Sequence, residues 1–240
     1  MSPKESKKRP VTSRSSTVIA AVVLVLVAVV VIGGVIYQSS RSKPRNEGYG
    51  SAQNSTVQVA DGIVRVGAAN APVTVDVYED FLCPICSQFE KLYGQELAQS
   101  LDQGKVAVRY HMLNFLDARS ASKNYSTRAA AATLCVASDG NGAAFPKFHA
   151  TLFTTGTQPT ESSSTDLSDA QLADLAKTAG ASSTGQTCIT TGAKKADAAV
   201  TAQAGEQQLL NTVGQVGTPT VLKDGKQVNW QNSDWISQLN

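Results

Sequence analysis

The chain has no G-x-S-x-G elbow, no second C-x-x-C and no tight H-x-x-x-H pair; its two histidines are His111 and His149. Without the elbow, a Ser/His/Asp hydrolase of that type has no place for its nucleophile. A basic stripe is missing too. Net charge is +2 over 240 residues, and eight of the 21 Lys/Arg fall in the first 45 residues. The remaining body is slightly acidic, which argues against nucleic acid as a partner. No repeat of fixed period is present. Cysteines are few: Cys83, Cys86, Cys135 and Cys188.

What is present begins with an apolar run. Val18 to Tyr37, VIAAVVLVLVAVVVIGGVIY, is uncharged and would span roughly 30 Å as a helix, the thickness of a bilayer core. Lys4, Lys7, Lys8, Arg9 and Arg14 precede it; Arg41, Lys43 and Arg45 follow it. That bias places the N-terminus in the cytoplasm and the body outside. A cleaved signal is the alternative, but the run exceeds the usual h-region of about 7–15 residues and VIYQSS is a poor cleavage site. Residues 1–17 thus read as a cytoplasmic basic tail, 18–37 as a transmembrane anchor and 38–56 as a flexible linker. The folded domain follows over 57–240. Either reading exports the domain into surroundings where disulfides persist.

Within the domain, VQVADGIVRV alternates around Asp61-Gly62 and predicts a hairpin. Val73 to Tyr78 reads as a β-branched strand. Phe89, Leu92, Tyr93, Leu97 and Leu101 recur at helical spacing, and Val106 to Leu113 reads as a second strand. Strand, helix, strand predicts a parallel pair with a right-handed crossover. RAAAATLCVAS, FPKFHATLF, DLSDAQLADLAKTAG and TGAKKADAAVTAQAGEQQLL all read as helix, with Ser168 and Gln171 as a capping arrangement. A hairpin over Thr220 to Val228, turning at Asp224-Gly225, and a short helix from about Ser233 carrying Trp235, Ile236 and Leu239 end the chain. The class is α/β: a small sheet interrupted by a helical block.

The chemistry sits in FLCPICSQFE, Phe81 to Glu90, at the junction of strand and helix. A helix N-terminus favours a thiolate through its free N–H groups and macrodipole. Cys83 falls there, Cys86 lies one turn further in, and Pro84 occupies the first turn, where its missing N–H costs nothing. The pattern fits thiol–disulfide exchange, with Cys83 attacking and Cys86 resolving. A zinc site would need two further ligands from Cys135, Cys188, His111 and His149; an inert staple is the third reading. Val216 to Thr220, V-G-T-P-T, puts Pro219 just before a strand, where a cis Thr218–Pro219 bond is one solution and a trans edge-strand proline the other.

Asp80-Phe81-Leu82-Cys83-Pro84-Ile85-Cys86 with Phe89-Glu90 resembles the active-site segment of DsbA-like disulfide oxidoreductases. The likeness runs upstream to Gly67 and Ala71-Pro72-Val73, and downstream to Gly217-Thr218-Pro219-Thr220 and Asp224-Gly225-Lys226. It covers about Val57 to Asn240 and is similar to membrane-anchored actinobacterial DsbA homologues. The resemblance implies a thioredoxin fold with an inserted helical domain at about 118–212 and a cis-proline facing the C-x-x-C. By position it makes Cys83 the nucleophile, Cys86 the resolving cysteine, Pro84-Ile85 the active-site dipeptide and Thr218-Pro219 the substrate-binding turn. The strongly oxidising members carry histidine where this chain has Ile85.

Of the remaining candidates, Cys135 and Cys188 read as a structural disulfide, with a second redox relay as the alternative. Glu79 and Asp80 are candidates for proton transfer to Cys86, the alternative being a solvated strand end. His111 and His149 read as ordinary surface or core histidines. The expected protein is an extracytoplasmic thiol:disulfide oxidase, single-pass in the cell membrane. It would act on exported proteins with cysteines and need no bound cofactor or metal. The resemblance implies reoxidation by a quinone-linked membrane protein of DsbB or VKOR type. The rivals are an isomerase or reductase on the same fold, a metallochaperone-like domain using the C-x-x-C, and a non-catalytic binding module.

Overall fold

Strands β1 (Val57–Ala60), β2 (Ile63–Val66), β3 (Val73–Glu79) and β4 (Val106–Met112) form one sheet with β5 (Thr220–Lys223) and β6 (Lys226–Gln227). The computed structural model describes residues 44–239. The basic tail and the apolar run Val18–Tyr37 lie outside the described residues. Among the described residues no helix is long and apolar enough to cross a membrane.

The strand order is β1-β2-β4-β3-β5-β6. Only β3 and β4 run parallel, with Val75 opposite Val108; helix α1 (Pro84–Asp102) makes the crossover between them. The other pairs are antiparallel. Both hairpin turns are Asp-Gly with left-handed φ: 51° and 75° at Asp61-Gly62, 52° and 74° at Asp224-Gly225. This is the two-residue turn whose twist matches paired strands.

Alternation along β3 decides what each sheet face carries. Val73, Val75 and Val77 enter the main core with Val106, Val108, Tyr110 and Met112 of β4. Tyr78 points the other way, into a smaller cluster with Leu113, Leu209 and Leu222. Helix α1 covers the first face with Phe89, Tyr93, Leu97 and Leu101, all buried. Phe89 meets Trp230 and Trp235 edge-on and tilted, at 5.5 and 5.8 Å between ring centroids.

Between β4 and β5 come α2 (Tyr125–Ala137), α3 (Ala144–Leu152), α4 (Asp169–Ala179), α5 (Ser183–Thr191) and α6 (Lys195–Val213). Helix α2 is the axle of this block. All but one of its residues are buried, and its alanines let neighbouring helices approach closely. Helix α4 opens on the anticipated capping box: Gln171 N donates to Ser168 Oγ, and Ser168 N to Gln171 Oε1. Helix α5 was not anticipated; its sequence, STGQTCITT, is rich in β-branched residues and contains glycine. It is started by Ser182, whose Oγ accepts from Thr184 N and Gly185 N. Helix α6 does double duty: Leu209 covers the second sheet face, and Gly205 leaves room for Leu113, whose Cδ2 a Cβ there would approach to 2.8 Å and displace.

Two expectations are corrected. The segment after Ser233 forms turns and a short 3-10 helix, Ser237–Leu239, rather than an α-helix. Too few residues remain to offset nucleation, yet Trp235, Ile236 and Leu239 still bury as the pattern implied. The second correction concerns the linker, which is not a free tether from residue 44 onward. Those residues strap along α1. Arg45 N donates to Leu92 O and its guanidinium pairs with Glu96. Gly48 N and Gly50 N donate to Gln95 Oε1. Asp102 accepts from Gln53 N, Asn54 N, Ser55 Oγ and Tyr49 Oη. A polar, glycine-rich composition conceals this, because the strap is held by polar contacts, backbone and side-chain donors together, and not by an apolar stripe. Asp102→Ala is expected to release it, lowering stability by roughly 1–3 kcal/mol and speeding tryptic cleavage at Arg45 in limited proteolysis. An unchanged cleavage rate would mean that Asp102 is not the clasp.

Candidate active site

Strand β3 ends at Glu79, and four residues later Cys83 occupies the N-cap of α1 with φ −73° and ψ 117°. Cys83 N donates to Asp80 O at 2.9 Å, and Pro84 takes the first helical position. Gln158, from the loop after α3, clamps this turn: its Nε2 donates to Phe81 O and Cys83 O at 3.2 and 3.0 Å. Pro84 and Ile85 are exposed and form the outer rim. Both sulfurs are free thiols and both residues are buried.

The two thiols titrate in opposite directions. A hydrogen bond from the Cys86 thiol, joined by Thr218 and the backbone N–H groups of Cys86 and Ile85, outweighs burial and draws Cys83 down to about 6. Burial, and then the neighbouring Cys83 thiolate, push Cys86 well above the ordinary thiol range. Cys83 is therefore the more acidic of the two thiols.

The Thr218–Pro219 bond is cis. It lies against the pair: Cys83 Sγ is 3.4 Å from Thr218 O. Trp230 Nε1 donates to Pro219 O at 3.1 Å, and Thr220 Oγ1 to Gly217 O at 2.7 Å, fixing the turn from behind. The sequence places these segments 135 residues apart; β5, pairing with β3, brings them together.

Glu79 and Asp80 are not a solvated strand end: both are fully buried. Their environments separate them. Asp80 accepts from Leu82 N, Leu116 N and Ser126 Oγ at 2.9, 3.1 and 2.6 Å, so it ties the loop after β4 to the active-site turn. Burial still raises it to about 7. Glu79 meets His149 Nε2 at 2.9 Å and also the Glu90 carboxyl. Burial and the Cys83 charge push its carboxyl well upward, and its own charge in turn raises Cys86.

Gln158 escaped the sequence reading; Glu90 entered it only within the active-site segment, and His149 only as a zinc candidate or an ordinary surface or core histidine. Glu90 carried a legible signal, lying four residues from Cys86 on the buried stripe of α1. So did Glu79, which continues the Val73, Val75, Val77 alternation into the core. His149 is buried and bonded to Glu79, while His111 is bonded to Asp76 at 2.8 Å and stacked on Tyr78. Cys135 and Cys188 form a disulfide joining α2 to α5. The four residues considered as further zinc ligands for the C-x-x-C are thus engaged with other partners. One donor atom each of Glu79, Glu90 and His149 lies within 4.8 Å of the others, a second donor set of metal-ligand type among the described residues.

A lowered, helix-capping thiol paired with a buried resolving thiol, on a parallel β–α–β unit interrupted by a helical block, defines a DsbA-like thiol:disulfide oxidoreductase. The sequence pattern described as Thioredoxin matches residues 59–238, and the chain belongs to that family. The chain is similar to MdbA of Corynebacterium diphtheriae, described as a thiol-disulfide oxidoreductase. That match has 29% identity and a TM-score of 0.69, covering 81% of this chain and 98% of that one. It is also similar to oxidised DsbA of Mycobacterium tuberculosis, at 32% identity and TM-score 0.61, covering 77% and 89%. Over 179 residues it is 39% identical to the serine/threonine-protein kinase PknE of M. tuberculosis, matching 75% of this chain and 31% of that protein. The chain therefore spans about a third of that kinase's length.

Proposed function

We propose that this oxidoreductase works as an oxidase, donating the Cys83–Cys86 disulfide to exported proteins. The observation that carries the reading is the depressed Cys83 thiol at the α1 N-cap, against the Thr218 carbonyl. Stabilising the Cys83 thiolate stabilises the reduced enzyme, which makes the disulfide a better oxidant. A substrate thiolate attacks Cys83 Sγ of the oxidised pair. The Cys83–Cys86 bond breaks, Cys86 leaves with the electron pair, and a mixed disulfide forms. A second substrate thiolate attacks the substrate sulfur, releasing oxidised substrate and Cys83 as thiolate. Pro84 and Ile85 form the rim and Thr218-Pro219 the wall against which the substrate strand lies. The electrons stay on the two sulfurs, so no bound cofactor takes part, and a membrane reoxidant of DsbB or VKOR type would collect them.

Export is part of the proposal. The Cys135–Cys188 disulfide suits an oxidising compartment, and the run Val18–Tyr37 would hold the domain on the outer side of the cell membrane.

Titrating the Cys83–Cys86 couple against glutathione buffers tests the direction. With no histidine at Ile85, the expected potential lies above thioredoxin's about −270 mV but below DsbA's about −120 mV. A value at or below that of thioredoxin would reassign the protein as a reductase. Rescue of a scrambled substrate faster than oxidation of a reduced one would make it an isomerase.

A further inference from the structure

The turn that carries Cys83 has its backbone groups held through two residues. Asp80 takes the N–H groups: Cys83 N donates to Asp80 O and Leu82 N to Asp80 Oδ1, both at 2.9 Å. Gln158 takes the carbonyls: its Nε2 donates to Phe81 O at 3.2 Å and to Cys83 O at 3.0 Å. An amide nitrogen carries two hydrogens, so one Nε2 serves both oxygens.

Neither carbonyl has an equal alternative. Phe81 is fully buried, and among the described residues Gln158 is the only donor to its oxygen. Cys83 O also accepts the first helical bond of α1, from Ser87 N. That bond is 3.3 Å long, against a usual length of about 2.9–3.0 Å. A buried carbonyl without a donor is costly, so the turn keeps its shape as long as the amide stays in place.

The amide is itself presented from a closed turn. Thr157 N and Gln158 N both donate to Thr154 O, at 3.1 and 3.0 Å, and Gly156 between them takes φ 87°. At the other end of this short segment Phe153 O accepts from Ser87 Oγ at 2.6 Å, and the Phe153 ring stacks on Phe81 at 4.9 Å between centroids. Phe153 and Gln158 thus grip the active-site turn and the first turn of α1 together. The hold comes through this loop and not through the disulfide joining α2 to α5.

Cys83 is extended, with φ −73° and ψ 117°, while Pro84 is already helical. In that conformation its sulfur meets the N–H groups of Ile85 and Cys86 and the Cys86 thiol. A change in the Cys83 torsions would move the sulfur off these partners and carry Cys83 O away from Gln158.

We propose that Gln158 is a positioning residue for the exchange reaction: by holding Phe81 O and Cys83 O it keeps the Cys83 sulfur aimed at the first N–H groups of α1. The proposal rests on the Cys83–Cys86 reading above and adds a determinant of how oxidising the pair is. The Cys83 sulfur carries most negative charge in the reduced pair. Tilting it away from those N–H groups therefore penalises the reduced state and weakens the disulfide as an oxidant. The titratable groups facing Cys83 are Glu79 at the end of β3, Asp80 after it and Cys86 of α1. Substitution of Gln158 leaves all of them in place.

The test compares wild type with Gln158→Met, which fills the same space without a donor, and Gln158→Asn, which keeps the amide but one methylene short. The second guards against a misfolded first. Each protein is equilibrated with glutathione, where two glutathione thiols reduce Cys83–Cys86 to two thiols and leave one glutathione disulfide. Alkylation of the reduced proteins by iodoacetamide is followed across pH and located by mass mapping. In both variants the equilibrium constant for reduction is expected to fall about threefold to tenfold, tenfold being about 30 mV. The Cys83 alkylation profile should move toward higher pH by the same factor, with an unchanged rate once the thiol is fully ionised. A constant and a profile like wild type, whatever the Tm, would show a structural clamp only and overturn the proposal. A rate changed equally at every pH would also overturn it, since that marks a loop that alters access and does not aim the sulfur. A wild type that glutathione does not reduce, or whose Cys83 resists alkylation, would sink the Cys83–Cys86 reading itself and the positioning role with it.

Discussion

In Cys86→Ala, substrate proteins are expected to accumulate as mixed disulfides on Cys83, while Cys83→Ala traps almost none. Turnover should fall on the order of 10³-fold or more in either variant, as when a covalent nucleophile or its partner is removed. The asymmetry follows from position. Cys83 caps α1 and is drawn down to about 6, whereas Cys86 is buried one turn inside and held protonated. A thiol that stays protonated behind the Pro84-Ile85 rim neither attacks a substrate disulfide nor receives one. Without Cys86, nothing within the molecule cleaves the Cys83–substrate bond. Non-reducing gels and mass mapping of the adducts measure the trapping. Alkylation of the reduced wild type across pH measures its cause: Cys83 should already react below neutrality and Cys86 only in strong base. Faster alkylation of Cys86 at pH 6–7 would reverse the roles and defeat the mechanism.

The C-x-x-C was legible because everything that makes it reactive is local. A β-branched strand, a two-residue turn and a proline at the first helical position follow one another within fifteen residues, and the helix terminus does the electrostatic work. The parallel pairing of β3 and β4 was legible for a similar reason: strand, helix and strand of those lengths leave few topologies. Thr218-Pro219 was readable only through resemblance, since its meeting with Cys83 depends on β5 returning to β3 after the whole helical block. The strap over α1 was not legible, because Asp102 and Gln95 hold backbone N–H groups that any sequence offers. The burial of Glu79 and Glu90 was only half legible: Glu79 was read both as a proton-transfer candidate and as a solvated strand end, and Glu90 only as part of the active-site segment, although strand alternation and helical spacing aim both side chains inward.

Opening the second disulfide, as in the double variant Cys135→Ala/Cys188→Ala, should cost about 4 kcal/mol by the chain-entropy account of a loop of this length. That corresponds to a fall in Tm of roughly 10 °C for a domain of this size. The two cysteines sit in unequal partners. Cys135 is in α2, buried on nearly every side, and Cys188 is in α5, nine residues of which four are threonine and one is glycine. Helix α5 has little propensity of its own. Its ties are the Ser182 cap, the contacts of Ser182 with Asp139, the burial of Ile189 and the bridge to α2. Without the bridge, α5 should open ahead of the rest, so hydrogen exchange should rise over Ser183–Thr191 well before it rises over α2. The reactive pair rests on β3, α1 and β5, so the variant should still reduce and reoxidise at Cys83–Cys86 below its lowered Tm. Loss of that exchange in folded protein would show that the helical block holds the active site and does not merely flank it. Free thiols at both positions in wild type purified under air would remove the premise altogether.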